Sequence, residues 1–390
     1  MSKWEMVRLG DLFDIGSSKR VFQSEWKESG VPFYRAREIA KLAEDGYVDN
    51  ELFIDENMYE EYSKKYGTPN AGDLMVTGVG TLGICYIVQD SDRFYFKDGN
   101  ILWFRKTSDV SSKYISWVFR SNYMKEQIRR NSSGTTVGTF TISTAKSIEI
   151  PLPPLETQKQ IAKTLDTALE LINLRKKQLE ELDNLIKTIF YDMFGDPVTN
   201  EKGWEDKKIN DIANVETGAT PSRNNTSYYN GVIPWVKTGE IDQGYIFTTV
   251  EYISEKAINE TNCKVFPWNT ILIAMYGQGK TRGQAGMLKI AAATNQACAA
   301  IIPSEYYISE FLYRLLIYKY EDLRELGRGG NQPNLNLSIV KNFRVIVPPK
   351  SLQEKFASMT SKIEEQKALV QKAIDESQYL FDSLMSKYFD

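Results

Sequence analysis

Residues 155–194 read LETQKQIAKTLDTALELINLRKKQLEELDNLIKTIFYDMF. Ile161, Leu165, Ala168, Ile172, Arg175, Leu179, Leu182, Ile186 and Ile189 follow one another in steps of four and three, which is a heptad seam broken only by Arg175. Pro153 and Pro154 stop whatever precedes the seam, and Gly195 and Pro197 follow its last turn. The stretch predicts one helix of roughly 60 Å. An apolar stripe so narrow on a helix so long requires a partner helix.

The partner is expected at the C-terminus. Leu352, Phe356, Met359, Ile363, Val370, Ala373, Leu380 and Leu384 repeat the same stepping, with Gln366 and Ser377 as weak points. Pro348 and Pro349 stand in front, and Ser351 with Glu354 has the spacing of a capping box. Both seams lie in one chain, so an intramolecular antiparallel coiled coil is expected.

The segments around the helices are duplicated too. WEMVRLGDLFDI from Trp4 answers WEDKKINDIANV from Trp204, and VPFYRAREI from Val31 answers IPWVKTGEI from Ile233. Each copy then carries a glycine-rich stretch between apolar runs, 73–88 and 270–288. A strand-like segment, an amphipathic helix, a polar loop, a short strand and the proline pair follow. At the helix ends, Leu185 and Phe190 are paired with Leu384 and Phe389. The reading is α+β: two similar mixed α/β domains, 1–150 and 197–347, each followed by a long helix, 151–196 and 348–390. Short strands between glycine and polar turns, without regular crossover helices, argue against a doubly wound sheet. A pseudo-twofold axis through an antiparallel helix pair would set the two heads at its opposite ends.

Composition narrows the chemistry. The 390 residues suit two domains, with 42% hydrophobic and 25% charged residues and a net charge of −3. No apolar run reaches membrane-span length and the N-terminus lacks a signal-peptide core, so a cytoplasmic protein is expected. Cys85, Cys263 and Cys298 form no CxxC pair and read as buried reduced thiols. Histidine is absent, which removes Ser-His-Asp triads, Cys-His dyads and histidine metal sites. Gly279-Lys280-Thr281 resembles the end of a phosphate loop, but Ala274 stands where the first glycine is needed. No acidic ribose ligand follows Gly78, Gly80 and Gly83. No NPPY-like methylation motif occurs, and no catalytic constellation or metal site emerges.

Taken together, the repeat and the proline-bounded helices resemble the DNA-specificity (S) subunits of type I restriction–modification systems. PLPPLETQKQIAKTLD (151–166) and VPPKSLQEKFASM (347–359), with Gln158 and Gln353 in matching places, carry the resemblance most specifically. ETGATPSRNNTSYYNGVIPWVKTGEI (216–241), GNQPNLNLSIVKNFRVIVPP (330–349) and LFDSLMSKYF (380–389) extend it over nearly the whole chain. The first domain departs more, having only Ser17-Ser18-Lys19-Arg20 where the second has TPSR. The resemblance implies a non-catalytic subunit whose two domains each read half of a split, asymmetric double-stranded DNA target. Two methyltransferase subunits would dock on the helices, and restriction (translocase/nuclease) subunits could join. S-adenosylmethionine, Mg and ATP would belong to those partners, with no cofactor bound by this chain.

Polar and basic loop residues would then touch DNA. The candidates are Lys19, Arg20, Arg35, Arg37, Thr77, Thr81, Arg129 and Arg130 in the first domain. In the second they are Arg223, Asn224, Asn225, Lys237, Tyr276, Gln278, Lys280 and Arg282. A two-headed coiled-coil scaffold that binds proteins and no DNA is the alternative.

Overall fold

A computed structural model describes residues 4–131, 138–277, 279–327 and 334–390. The chain divides into two compact units, Met1–Lys177 with Gln371–Asp390, and Gln178–Val370. The boundaries drawn from sequence set each long helix apart as a separate segment. Here each unit instead takes a part of both helices, because each head buries its apolar surface against them.

In the first unit, strands Phe13–Gly16, Ile101–Lys106, Leu74–Thr77 and Cys85–Ile87 lie side by side in that order, all antiparallel. A smaller sheet orders Phe53–Ile54, Val31–Tyr34 and Tyr95–Phe96, its last pair parallel. Met6–Arg8 pairs with Glu149–Pro151, so the first and last strands of the head meet just before the long helix begins.

The second unit repeats this topology. Val215–Thr217, Cys298–Ile301, Ile271–Ala274 and Ala285–Leu288 form the main sheet. Tyr252–Ile253, Ile233–Val236 and Ala292–Thr294 form the smaller one, and Glu205–Lys208 with Arg344–Val347 closes the head. Two edge strands, Tyr245–Ile246 and Val265–Phe266, are added. Where the first head follows Tyr34 with the helix Ala36–Asp45, the second makes only a short 3-10 turn, Thr238–Glu240.

Each proline pair releases a 40-residue helix, Leu155–Phe194 and Lys350–Phe389. Both ends keep a constant offset of 195 residues, so Phe389 answers Phe194 and Leu384 answers Ile189, four residues away from the pairing read off the sequence. In the first unit the start of one helix meets the end of the other. Ile161, Ala162 and Leu165 share a core with Phe389, with Phe381, Leu384 and Met385 packed against it. In the second unit Ile186, Phe190 and Phe194 share a core with Phe356 and Ile363. The helices are therefore antiparallel within each unit.

Along the first helix Ile161, Leu165, Ile172 and Ile186 are buried, and Ala168, Leu179, Leu182 and Ile189 half-buried. Along the second, Phe356 and Ile363 are buried, and Leu352, Val370, Ala373 and Leu384 half-buried. Met359 and Leu380 depart from the expected seam: both are exposed, while Thr360 is buried and Phe381 packs on the core. The buried stripe runs through Gln353, Thr360, Ile374 and Phe381, one residue round from the heptad reading at alternate turns. A helix that covers a head as well as a partner helix needs a stripe wider than a coiled-coil seam, and its centre moves toward the head. The polar breaks answer each other, since the Arg175 guanidinium donates to the Ala373 carbonyl and to Ser377 Oγ.

One glutamine in each unit ties helix to head. Gln158 Nε2 donates to the Pro153 carbonyl (2.8 Å) and its Oε1 accepts from the Ser111 amide (2.9 Å). Gln353 makes the same two bonds, to the Pro348 carbonyl (2.8 Å) and from the Ile308 amide (2.9 Å). Both side chains are buried. Gln353→Leu strands a buried carbonyl and a half-buried amide, and should cost about 1–3 kcal/mol in urea unfolding. The exposed Gln371→Leu should stay within about 0.5 kcal/mol of wild type.

Candidate nucleic-acid interface

Four connections meet at one end of the main sheet in the first unit: 17–20, 78–83, 97–100 and 138–142. Ser17 Oγ donates to the Ile101 carbonyl (3.0 Å) and accepts from the Gly99 amide (3.1 Å). Ser18 Oγ donates to the Phe96 carbonyl (2.6 Å). Gly78 donates to the Asn100 carbonyl (2.8 Å) and accepts from the Phe140 amide (2.9 Å).

The second unit gathers the corresponding connections, 218–225, 275–277 with 279–283, 295–297 and 334–336. The Ala219 amide bonds the Thr294 carbonyl (3.0 Å), and Thr220 Oγ1 bonds Gln296 Oε1. Met275 donates to the Ala297 carbonyl (2.8 Å) and accepts from the Leu335 amide (3.0 Å). Gly218 is obligatory here, because a Cβ on it would lie 1.9 Å from the Thr294 carbonyl oxygen. Tyr320 and Arg324, which sequence reading passed over, brace the tip through the carbonyls of Lys280 (2.5 Å) and Gly279 (2.6 Å).

The candidate residues divide into three groups. Lys19, Thr81, Asn224, Tyr276 and Lys280 are exposed on these connections. A second group carries carboxylate partners. Arg20 bonds Asp98 (2.9 Å), Arg35 bonds Glu38 (2.7 Å), and Arg37 reaches Glu38 (3.0 Å) and Glu51 (3.4 Å). Arg129 and Arg130 share Glu126 (2.7 and 2.9 Å), and Arg223 and Lys237 share Glu251 (2.8 and 2.5 Å).

The third group departs from the expectation. Thr77 is buried and braces its own turn, donating to the Thr81 carbonyl and accepting from the Ile84 amide. Arg282 is also buried, at 7% exposure, so neither side chain reaches a ligand surface. Asn225 is half-buried, with its Oδ1 engaged by Ser227. Gln278 lies outside the described residues.

The carboxylates were the missed signal. Glu38 and Glu240 hold the same place in the repeated REI and GEI, and each accepts from the backbone amide of the basic residue before it, Arg35 (2.9 Å) and Lys237 (2.8 Å). Nothing in the sequence singles out Glu251. Arg223 also lies over the rings of Tyr229 (4.4 Å) and Trp235 (5.2 Å), within cation–π distance of both. Burial opposes ionisation of Glu38, yet Arg35 and Arg37 hold its carboxyl down at about 2. Glu251 is likewise held below the usual carboxylate range, by Arg223 first and then by Lys237.

No group of metal-ligating side chains occurs among the described residues, and none of their helices is long and apolar enough to cross a membrane.

A family model described as the type I restriction modification DNA specificity domain matches residues 1–184 and 201–377. The chain belongs to this family of specificity subunits. The two matches fall on the two copies of the repeat, each a head with most of the helix that follows. The S subunit is 24% identical to the type I restriction enzyme MjaIX specificity subunit of Methanocaldococcus jannaschii, over 98% of its own length and 92% of that protein's. It is 26% identical to the EcoR124I/EcoR124II specificity subunit of Escherichia coli, over 56% of each. In fold it is similar to the crystal structure of the type I restriction–modification S subunit from M. genitalium, with a TM-score of 0.62, 17% identity, and coverage of 100% of this chain and 96% of that one. A chain from a structure concerned with complex assembly and conformational transition of the type I R-M system matches equally, with a TM-score of 0.62, 18% identity, and coverage of 99% and 97%.

Stability should depend on pH through Glu38. Its folded pKa lies below the unfolded one, so its contribution is present above about pH 4.5 and is lost as pH falls toward 2. Glu38→Gln should lower the melting temperature at pH 7, and the gap from wild type should narrow as pH falls from about 5 to about 2.

Proposed function

We propose that this S subunit selects the DNA target of a type I restriction–modification complex, each unit reading one half of a split, asymmetric sequence. The observation that carries the reading is a duplicated loop cluster with unlike linings, in a chain of the DNA-specificity family. Ser17-Ser18-Lys19-Arg20 in one head stands where Thr220-Pro221-Ser222-Arg223 stands in the other, and the second tip carries Lys280. Equal frames with different side chains read different bases, which makes the target asymmetric.

On this reading Lys19 and Lys280 contact phosphates, which position the duplex. Arg20, Arg223 and Asn224 present donors to base edges. Methyltransferase subunits dock along the long helices, which also set the unread spacing, and restriction subunits join that assembly. S-adenosylmethionine, Mg and ATP are held by those partners, and this chain contributes sequence choice without chemistry of its own. Among the described residues, nothing at either loop cluster favours a scaffold that binds proteins alone.

The test is to co-express the subunit with its methyltransferase in a methylation-free host and map modified bases across the genome. A split, asymmetric motif should appear, and exchange of residues 204–347 should change one half and leave the other. An active methyltransferase that leaves no split motif with this subunit would overturn the reading. In the same complex, Lys280→Ala should weaken binding to target DNA and make the log K against log salt slope shallower by about one. Fluorescence anisotropy at several salt concentrations measures both.

A further inference from the structure

Each head holds two of its cations with a single carboxylate. In the first, Glu38 is fully buried and bonds both Arg35 and Arg37. In the second, Glu251 lies between Arg223 and Lys237 on the edge of the smaller sheet. The two carboxylates come from different places in the repeat. Glu38 sits in the helix after the strand Val31–Tyr34, whereas Glu251 precedes the strand Tyr252–Ile253. The corresponding Glu240 serves elsewhere, accepting from Thr249 Oγ1 and the Val250 amide. The heads thus reach one arrangement, two cations on one anion, by different residues.

We infer that Glu251 and Glu38 are specificity-determining residues, which hold paired cations in fixed directions and lower the charge those pairs present to DNA phosphates. This rests on the DNA-reading role proposed above. Two unpaired cations attract any phosphate, a sequence-independent attraction that grows with each charge. With Glu251 between them, Arg223 and Lys237 present one net positive charge, and in the first head Glu51 offsets Arg37 further. The guanidinium of Arg223 also has two neighbours that restrict it, Glu251 at 2.8 Å and the Tyr229 ring at 4.4 Å. A planar donor held so favours a base edge that matches its geometry over a phosphate that would reorient it.

The experiment uses the S subunit with its methyltransferase subunits, a duplex bearing the mapped target and one lacking it. Glu251→Gln keeps the shape and removes the charge. Affinity for the non-target duplex should rise by roughly three- to tenfold at low salt. The salt slope should steepen by about one. Discrimination between the duplexes should fall, and methylation should spread to near-cognate sites altered in the second half only. Glu38→Gln should do the same for the first half. A Glu251→Gln complex with unchanged non-target affinity and salt slope would overturn the inference. So would equal losses on both duplexes with a lowered melting temperature, the pattern of a residue that only supports the fold. Failure of the wild-type complex to prefer its target would instead overturn the DNA-reading role itself.

Discussion

Two buried amides hold this structure in register. Gln158 and Gln353 sit in the first turn of the long helices, each bonded at once to a proline carbonyl and to the amide that opens the head's own helix. The glutamine side chains and the proline carbonyls are buried, where water does not readily replace a lost partner, so the geometry tolerates little slip. Head and helix are thereby fixed to each other twice, by the closing strand pair and by the glutamine. The loop clusters inherit their direction from that attachment.

The duplicated frame is lined differently in the two units. At one place along the head–helix contact, the first unit bonds Asp166 to Lys113 (2.9 Å) and to the Trp117 indole (3.0 Å). The second sets Arg314, nearly buried, between Glu310 (2.9 Å) and Glu364 (2.6 Å). Removing two charges from water offsets most of what such a pair gains, so its effect is on orientation more than on stability. Burial alone would lower the Arg314 pKa; Tyr245, Glu310 and Tyr313 more than reverse that and keep it charged. Arg175 with Ser377 acts in the same way at the seam, where two polar breaks meet in one place and pin the pairing.

A net charge of −3 looks poorly suited to a nucleic-acid partner. The paired cations account for it. Most of the basic side chains picked out from sequence have a carboxylate within bonding distance, so the balance is local as well as global. A protein built this way gives up undirected attraction to phosphate and keeps directed donors. That trade suits selection among many similar sites.

From sequence alone came the duplication, the α+β class, the two proline-bounded helices and their antiparallel pairing. These depend on periodicity and on proline and glycine signals, which act locally and are visible in one dimension. The tertiary structure decided the side of the second helix on which the stripe lies: Phe381 packs on Trp117 of the head, and Thr360 is buried where the heptad rule puts Met359. It decided that Thr77 and Arg282 are buried, since a turn residue and a tip residue of suitable type look alike until the turn folds back on itself. It also decided the partners of each cation. Glu251 lies 28 residues after Arg223 and 14 after Lys237 in the chain. Only the pairing of the strands around Ile233 and Tyr252 brings the three together, through contacts that no local pattern encodes.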